Sequence, residues 1–354
     1  MQLESLELEN FRNYKELNVS LDSRLVLVLG ENASGKTNFI ESVYFLSRLK
    51  SFRVSDDLLV KLQEDYFKIV GRGGTHEFET VVQTSPSFKR VFKIDQQKVK
   101  RASWQTFQAV LFVPTDLNMF VLGPATRRKY LNDTLVQLDK SYAADLASLD
   151  HVLKQRSSLL DRIYKNQADT EELGFWDQEL AGLAIRISRQ RRGFLDFLNK
   201  KFDKQYQDLT GFKSKFEIVY KGLGEHAEQE QFLEKLKQIR EAETRSGTNL
   251  LGPHRDDFII NKDEELNVYN SSRGELREQV LTIKLLQAQY LTDEKDKPVM
   301  LLDDVFSELD EQRRAMLLEN LLDYQVFITS TEERHLPKLQ KQTQILKVKD
   351  NQIL

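Results

Sequence analysis

The sequence predicts an α/β fold in which one sheet is divided along the chain by an inserted helical domain. Three observations predict it. A hydrophobic strand, "RLVLVL", runs into the glycine-containing loop "GENASGKTN"; a second buried strand, "VMLL", ends at Asp303 and Asp304 near the other end of the chain; between them lie two long helical periodicities.

Leu3, Leu6 and Leu8, then Val19 and Leu21, predict a short opening pair of strands, and residues 24–29 form the buried strand before the loop. A helix follows the loop at Gly30, with Phe39, Ile40, Val43, Tyr44 and Leu46 on one apolar face. Strands are next predicted in "YFKIVGR", "EFETVVQT", "RVFKID" and "AVLFVP", separated by polar turn clusters. After Pro114 strands give way to helices. Tyr142, Leu146, Leu149, Leu153, Leu160 and Ile163 recur at helical spacing with Arg156 in the one polar slot. Leu173, Trp176, Leu180, Leu183, Ile187, Phe194 and Phe197 repeat the pattern with Gln190 in theirs. Joined by "KNQADTE", these two helices of about 25 residues, roughly 40 Å each, predict an antiparallel hairpin. It reads as an arm or lid, with a plain helical core domain as the alternative. From about Leu250 the strand signal returns in "DFIIN", "PVMLLDD" and "YQVFITS", with helices in "SRGELREQVLTIKLLQAQYL" and "EQRRAMLLENLL". The expected division is a head lobe at 1–115, a helical lid or arm at 116–245 and a second head lobe at 246–354.

Composition narrows the function classes. With 40% hydrophobic and 30% charged residues the 354-residue chain is globular, and its apolar runs are too short to cross a bilayer. The opening residues lack the basic and apolar regions of a secretion signal, and the absence of cysteine excludes disulfides and thiolate metal sites, so the expected compartment is the cytoplasm. A net charge of -3 leaves any attraction to nucleic acid to local patches. Two exist. Residues 89–101 carry Lys89, Arg90, Lys93, Lys98, Lys100 and Arg101 against Asp95; residues 186–204 carry Arg186, Arg189, Arg191, Arg192, Lys200, Lys201 and Lys204 against Asp196 and Asp203. Charge alone reads equally well as solvated faces.

Gly30, Glu31, Asn32, Ala33, Ser34, Gly35, Lys36 and Thr37 fit the phosphate-loop pattern G-x-x-x-x-G-K-[ST], with the strand before and helix after that it requires. Glycines let backbone N–H groups and the helix N-terminus face phosphates, Lys36 brings a cation to the β/γ-phosphates, and the Thr37 hydroxyl suits Mg²⁺. The complement is an aspartate ending a buried strand. Asp303 fills that role toward the metal, and Asp304 stands where a carboxylate would polarise attacking water, its alternative being a turn or cap residue. Upstream, "NSSRGEL" at 270–276 is a Ser-Gly turn entering an apolar helix, which either caps that helix or offers an anion site.

These residues resemble the ABC-type ATPase heads, in which a signature turn precedes the strand that ends in the aspartates and a D-loop follows it. Ser272, Arg273, Gly274 and Glu275 fill the signature; Ser307, Glu308, Leu309 and Asp310 fill the D-loop. Arg273 and Glu275 replace the usual Gly and Gln. Thr329, Ser330 and Thr331 stand where transporters place a switch histidine, and His335 lies farther along. With "ENFRNY", "GENASGKTN", "GPHRDD", "SSRGE" and "LLDDVFSELD" in order over essentially the entire chain, the sequence resembles the RecF family of SMC-like ATPases.

The resemblance implies an ABC-type P-loop ATPase head with an inserted lid, binding ATP and Mg²⁺. It implies an ATP-dependent DNA-binding protein of recombinational repair and replication that acts on gapped or double-stranded DNA and, with RecR and RecO, assists loading of RecA on single strands. In the family the signature of one subunit caps the nucleotide on the P-loop of another, so an ATP-dependent homodimer with slow hydrolysis is expected. The catalytic set is Asp304, Asp303 and Lys36. Arg12 is expected at the nucleotide phosphates, with a surface arginine as the alternative, while Gln105 or Gln108 would replace a metal-contacting glutamine. His254 and Arg255 receive no assignment. The alternative is an SMC-like or ABC-type motor with another partner. A transporter motor predicts the switch histidine, an SMC tether predicts far longer heptads, and a nuclease predicts a further carboxylate cluster.

Overall fold

The computed structural model describes residues 2–224, 228–266, 271–292, 296–331 and 343–353. Contacts divide the chain into two compact units, Met1–Asp116 with Asp208–Gly211 and Val280–Leu354, and Leu117–Gln207 with Phe212–Gln279.

The first unit contains two six-stranded sheets. One is antiparallel: β1 (Ser5–Phe11) and β2 (Tyr14–Ser20) continue through β4 (Tyr66–Gly73), β5 (His76–Gln83), β6 (Lys89–Ile94) and β7 (Gln97–Val99), in the order β2-β1-β4-β5-β6-β7. In β1 the alternate residues Leu6 and Leu8 are buried, as a sheet with one core face requires. The other sheet joins β3 (Leu25–Leu29), β8 (Ala109–Phe112), β12 (Val299–Leu302), β13 (Val326–Ser330), β14 (Thr343–Lys349) and β15 (Gln352–Ile353) in the order β15-β14-β3-β13-β12-β8. Its strands run parallel except for β15, which turns back on β14. The near-continuous apolar runs of β3 and β12 are those of strands covered on both faces.

Helix α1 (Lys36–Arg48) packs against strands of both sheets: Phe39 meets Phe327 of β13, and Phe45 meets Phe67 of β4 edge-on. The single apolar face expected for α1 is therefore an underestimate. Glu41, Ser42 and Ser47 are buried along with its apolar residues because sheet covers more than one side.

The second unit contains α2 (Asn118–Val121), α3 (Pro124–Leu135), α4 (Lys140–Tyr164), most of α5 (Leu173–Thr210), α6 (Gln229–Ser246) and the antiparallel sheet β11-β10-β9, formed by β9 (Phe216–Lys221), β10 (Asp257–Lys262) and β11 (Glu265–Leu266). Helices α4 and α5 are antiparallel, since Asp145 meets Arg186 whereas the later Arg156 meets the earlier Asp177. At 38 residues α5 exceeds the expected length, because Leu198, Phe202 and Tyr206 carry the buried stripe beyond Phe197. The unit also runs past residue 245, where a lid was expected to end, because β10 pairs with β9 along its whole length. Two further helices follow: α7 (Arg273–Leu291), whose residues are divided between the two units at Gln279 and Val280, and α8 (Glu311–Leu321) in the first. No described helix is long and apolar enough to cross a membrane.

Candidate nucleotide site

Strands β3, β13 and β12 lie side by side and parallel, so their carboxyl ends open on one edge, the place where open α/β sheets bind ligands. Beyond Leu29 the chain curls through Ala33, at φ 65°, and Gly35, at φ 116°, before α1 begins. A side chain at Gly30 would meet the Val348 carbonyl at 2.4 Å, and one at Gly35 would crowd the Tyr14 hydroxyl at 3.0 Å. Close approach to backbone requires Gly30, and the backbone angle requires Gly35. The Tyr14 hydroxyl donates to the Gly35 carbonyl at 3.2 Å, and the Asn351 amide donates to the Ser34 carbonyl at 3.3 Å. The first turn of α1 has neither a side-chain cap nor an acidic residue, leaving its amide end suited to an anion.

Lys36 Nζ donates to the carbonyls of Gly30 and Glu31, both at 2.7 Å, bridging the loop it follows. Burial pushes its ammonium down from the usual lysine range, against the pull of Asp304 and Asp303. The Thr37 hydroxyl lies 3.0 Å from each oxygen of Asp303 and donates to that carboxylate. Asp303 is 7% exposed. Burial pushes its carboxyl up, hydroxyl donation from Thr329 and Thr37 opposes this, and neighbouring Asp304 reinforces it. Asp304 adopts φ 54°, and its amide donates to Thr329 Oγ1 at 2.8 Å.

A cleft of about 370 Å³ is lined by Asn13, Asn32, Ala33, Gly35, Lys36, Thr37, Asn38, Arg53, Asp303, Asp304 and Thr329. It brings together most of the loop, Thr37 and both aspartates. Gly30 and Glu31 lend carbonyls to Lys36, while Ser34 Oγ is buried without a hydrogen-bond partner among the described residues. One hydroxyl beside one carboxylate is a donor set that suits Mg²⁺, which keeps several waters and shares phosphate oxygens. A glycine-lined amide cradle with a lysine suits a polyphosphate.

Other expected residues stand elsewhere. Arg12 donates from Nε to Glu41 Oε2 at 2.8 Å and from Nη2 to Oε1 at 3.1 Å, and it is absent from the cleft wall. Arg53 occupies that wall, 42% exposed, with Nη1 3.2 Å from Asn38 Oδ1. Gln105 and Gln108 do not line the cleft. The Ser307 hydroxyl donates to the Asp304 carbonyl at 2.8 Å, and Asp310 caps α8 through the Arg313 amide at 2.8 Å. In the second unit, Ser272 and Glu275 cap α7 reciprocally: the Ser272 amide donates to Glu275 Oε2 at 2.8 Å and the Glu275 amide to Ser272 Oγ at 3.3 Å. Lys262, more than the Ser272 amide, holds the Glu275 carboxyl below the usual range. Ser272, Arg273 and Gly274 remain exposed. His335 lies outside the described residues.

Asn13 and Asn38 belong to motifs the sequence already marked, so loop spacing was their available signal. Arg53 had none, and Thr329 was noted only for replacing a histidine. The unassigned His254 and Arg255 both donate to the Asn249 carbonyl, from Nε2 at 3.0 Å and from Nε at 3.1 Å. The side chain of Asn249 accepts from Arg156 and donates to Ser157, so the "GPHRDD" turn is tied to α4.

Both basic patches shrink. Arg191 is 1% exposed and bonded to Asp256, Tyr142 and the Pro253 carbonyl; Arg186 pairs with Asp145, and Arg192 donates to the Leu223 carbonyl. In the other patch Arg90 pairs with Asp56 and Lys93 with Glu79. Lys89, Lys98 and Lys100 stay exposed there; Arg189, Lys200, Lys201 and Lys204 stay exposed on α5.

The family model described as RecF/RecN/SMC N terminal domain matches residues 2–353. The chain is 34% identical to the DNA replication and repair protein RecF of Streptococcus suis, covering 100% of this chain and 99% of that protein. It is 32% identical to its namesake in Leptospira interrogans, with the same coverage. Among solved structures it is similar to the recombination mediator protein RecF-ATP in the RecFOR pathway, with TM-score 0.90 and 30% identity over 99% of this chain and 96% of that one. An SmcHead bound to the C-winged helix domain of ScpA shares the fold at TM-score 0.56 and 11% identity, covering 100% of this chain and 98% of that one.

Proposed function

The chain belongs to the RecF family, and from that premise we propose that it is an ATP-dependent DNA-binding protein of recombinational repair and replication. The observation that carries this reading is the Thr37 hydroxyl donating to the Asp303 carboxylate, 3.0 Å from each of its oxygens, which joins motifs far apart in the chain on one cleft wall. The RecF relatives named for DNA replication and repair, and the similar structure of RecF-ATP, support it.

Lys36 and the amide end of α1 hold the phosphates of ATP, Thr37 and Asp303 hold Mg²⁺, and Arg53 and Asn13 stand at the rim beside them. Bound Mg²⁺ supplies charge neutralisation at the phosphates. Asp304 orients the attacking water. Its side chain is one methylene shorter than a glutamate, which fits slow turnover and a switch rather than a motor. The exposed turn of Ser272, Arg273 and Gly274 caps the nucleotide held by a second copy, so ATP favours a homodimer that joins the remaining basic residues into one surface for double-stranded or gapped DNA. RecR and RecO are the partners through which this dimer assists RecA loading.

The test measures mass in solution and DNA binding with ATP, with ADP and without nucleotide. A dimer that binds DNA only with ATP is the expected outcome; a monomer in all three states, or DNA binding indifferent to nucleotide, would overturn the reading.

A further inference from the structure

We propose that Thr329 is a positioning residue of the nucleotide site, a single hydroxyl that sets the orientation of both Asp303 and Asp304. The inference rests on the reading of this cleft as an Mg²⁺-ATP site.

Topology puts Thr329 there. Strand β13 lies between β3, which leads into the phosphate loop, and β12, which leads into the aspartates; Thr329 pairs with Val28 on one side, and its neighbour Ile328 pairs with Leu302 on the other. The residue is 1% exposed, yet it reaches the cleft wall. Its Oγ1 donates to Asp303 Oδ1 at 2.8 Å and accepts from the Asp304 amide at 2.8 Å.

The chemistry leaves this hydroxyl one orientation. An amide can only donate and an ionised carboxylate can only accept, so the proton must point to Asp303 and a lone pair to Asp304. A side chain here must both donate and accept, be short, and suit a buried strand. Threonine meets all three requirements; valine keeps the shape and loses both bonds.

The two bonds have different consequences. The one to Asp304 fixes the peptide of a non-glycine residue at φ 54°, and so the direction in which its carboxylate leaves the strand end. The one to Asp303 anchors Oδ1 to β13. Thr37 also donates to Asp303 but would have a second task toward the metal, whereas Thr329 serves the two aspartates.

The experiment compares the parent, Thr329→Val and Thr329→Ser by thermal unfolding, by fluorescent ATP-analogue binding with and without Mg²⁺, and by turnover. Metal-free nucleotide binding should stay within about threefold in Thr329→Val, whereas the Mg²⁺ concentration for half-saturation should rise and kcat should fall by about 10-fold to 100-fold at similar KM. Thr329→Ser should restore both. Unchanged Mg²⁺ half-saturation in a folded Thr329→Val, or a serine variant no better than valine, would overturn the inference. If valine prevents folding, Thr329→Ala against Thr329→Ser decides by the same measure. A parent that binds no nucleotide would remove the site reading itself and this inference with it.

Discussion

Arg12 grips Glu41 of α1 with two nitrogens, and Glu41 is completely buried. Arg12→Ala leaves that carboxylate only the Ser51 hydroxyl and the more distant Arg53, so it should cost about 3 kcal/mol, the low end for a buried pair because Arg12 itself is partly exposed. Arg53→Ala, at a more exposed residue 3.7 Å from Glu41, should cost less than about 1 kcal/mol yet weaken ATP binding. Urea unfolding and nucleotide titration of both variants check this. An Arg12 variant of unchanged stability and poor ATP binding would return Arg12 to the phosphates, where the family resemblance put it.

The raised Asp303 carboxyl has a defined consequence with pH. A group whose pKa is higher folded than unfolded binds more protons in the folded state, so stability falls as pH rises through the window that starts at the ordinary aspartate value, about 3.9, and extends upward. Asp303→Asn should therefore raise the neutral-pH Tm of the nucleotide-free protein and flatten this part of its pH profile. Mg²⁺ needs the ionised form, so Mg²⁺-ATP affinity in the parent should drop as pH falls through the same window. Thermal melts and Mg²⁺ titrations across pH check both; an Asp303→Asn variant that is less stable at neutral pH would contradict the assignment.

The glycine loop, its strand and its helix were legible as structure because they are local: strand pattern, glycine spacing and helix periodicity lie within a few turns of one another. Asp303 and Asp304 were legible because a buried strand ending in acid is also a local pattern. The pairing of β9 with β10 was hidden because it joins segments separated by α6. The polar slot at Arg156 shows another limit: periodicity marks a break in an apolar stripe but does not distinguish solvent from a buried ion pair. Arg191 was counted in a surface patch for the same reason. Thr329 sat in a quoted strand, yet its role depends on β12 arriving beside it.

Arg156 is fully buried between Asp177 and Glu243, with Asn249 as a third acceptor. Arg156→Leu leaves two carboxylates short of a partner and should cost about 3–5 kcal/mol. Arg156→Leu combined with Glu243→Leu should cost less than the two single losses added, because the variants remove one shared interaction. Chemical unfolding of the four proteins closes that cycle; strict additivity would mean the pair is not coupled.

Ser272 separates capping from bridging. Ser272→Arg removes the hydroxyl half of its capping box, worth about 1 kcal/mol, while placing a bulky cation on an exposed turn. ATP binding to the monomer should persist and the ATP-induced dimer should disappear. Light scattering decides: equal dimer fractions with and without the substitution would sink the idea that this turn completes another copy's site.

Attraction to DNA phosphates depends on the cations that the folded patches leave exposed. Arg191 is committed to Asp256 and Tyr142, so its substitution should act on stability and say little about DNA. Lys200, Lys201 and Lys204 lie exposed on α5, and Lys201 Nζ sits 4.6 Å from the Phe197 ring centre. Binding that uses phosphate contacts releases counterions, so affinity in the ATP state should fall steeply with salt, each contact adding about 0.9 to the logarithmic slope. Changing the three lysines to alanine should weaken binding and reduce that slope by about one unit per lost contact, at unchanged Tm. A parent with a flat salt dependence would remove the electrostatic reading, whereas a triple variant with the parent slope would move the DNA surface to the other exposed group, Lys89, Lys98 and Lys100.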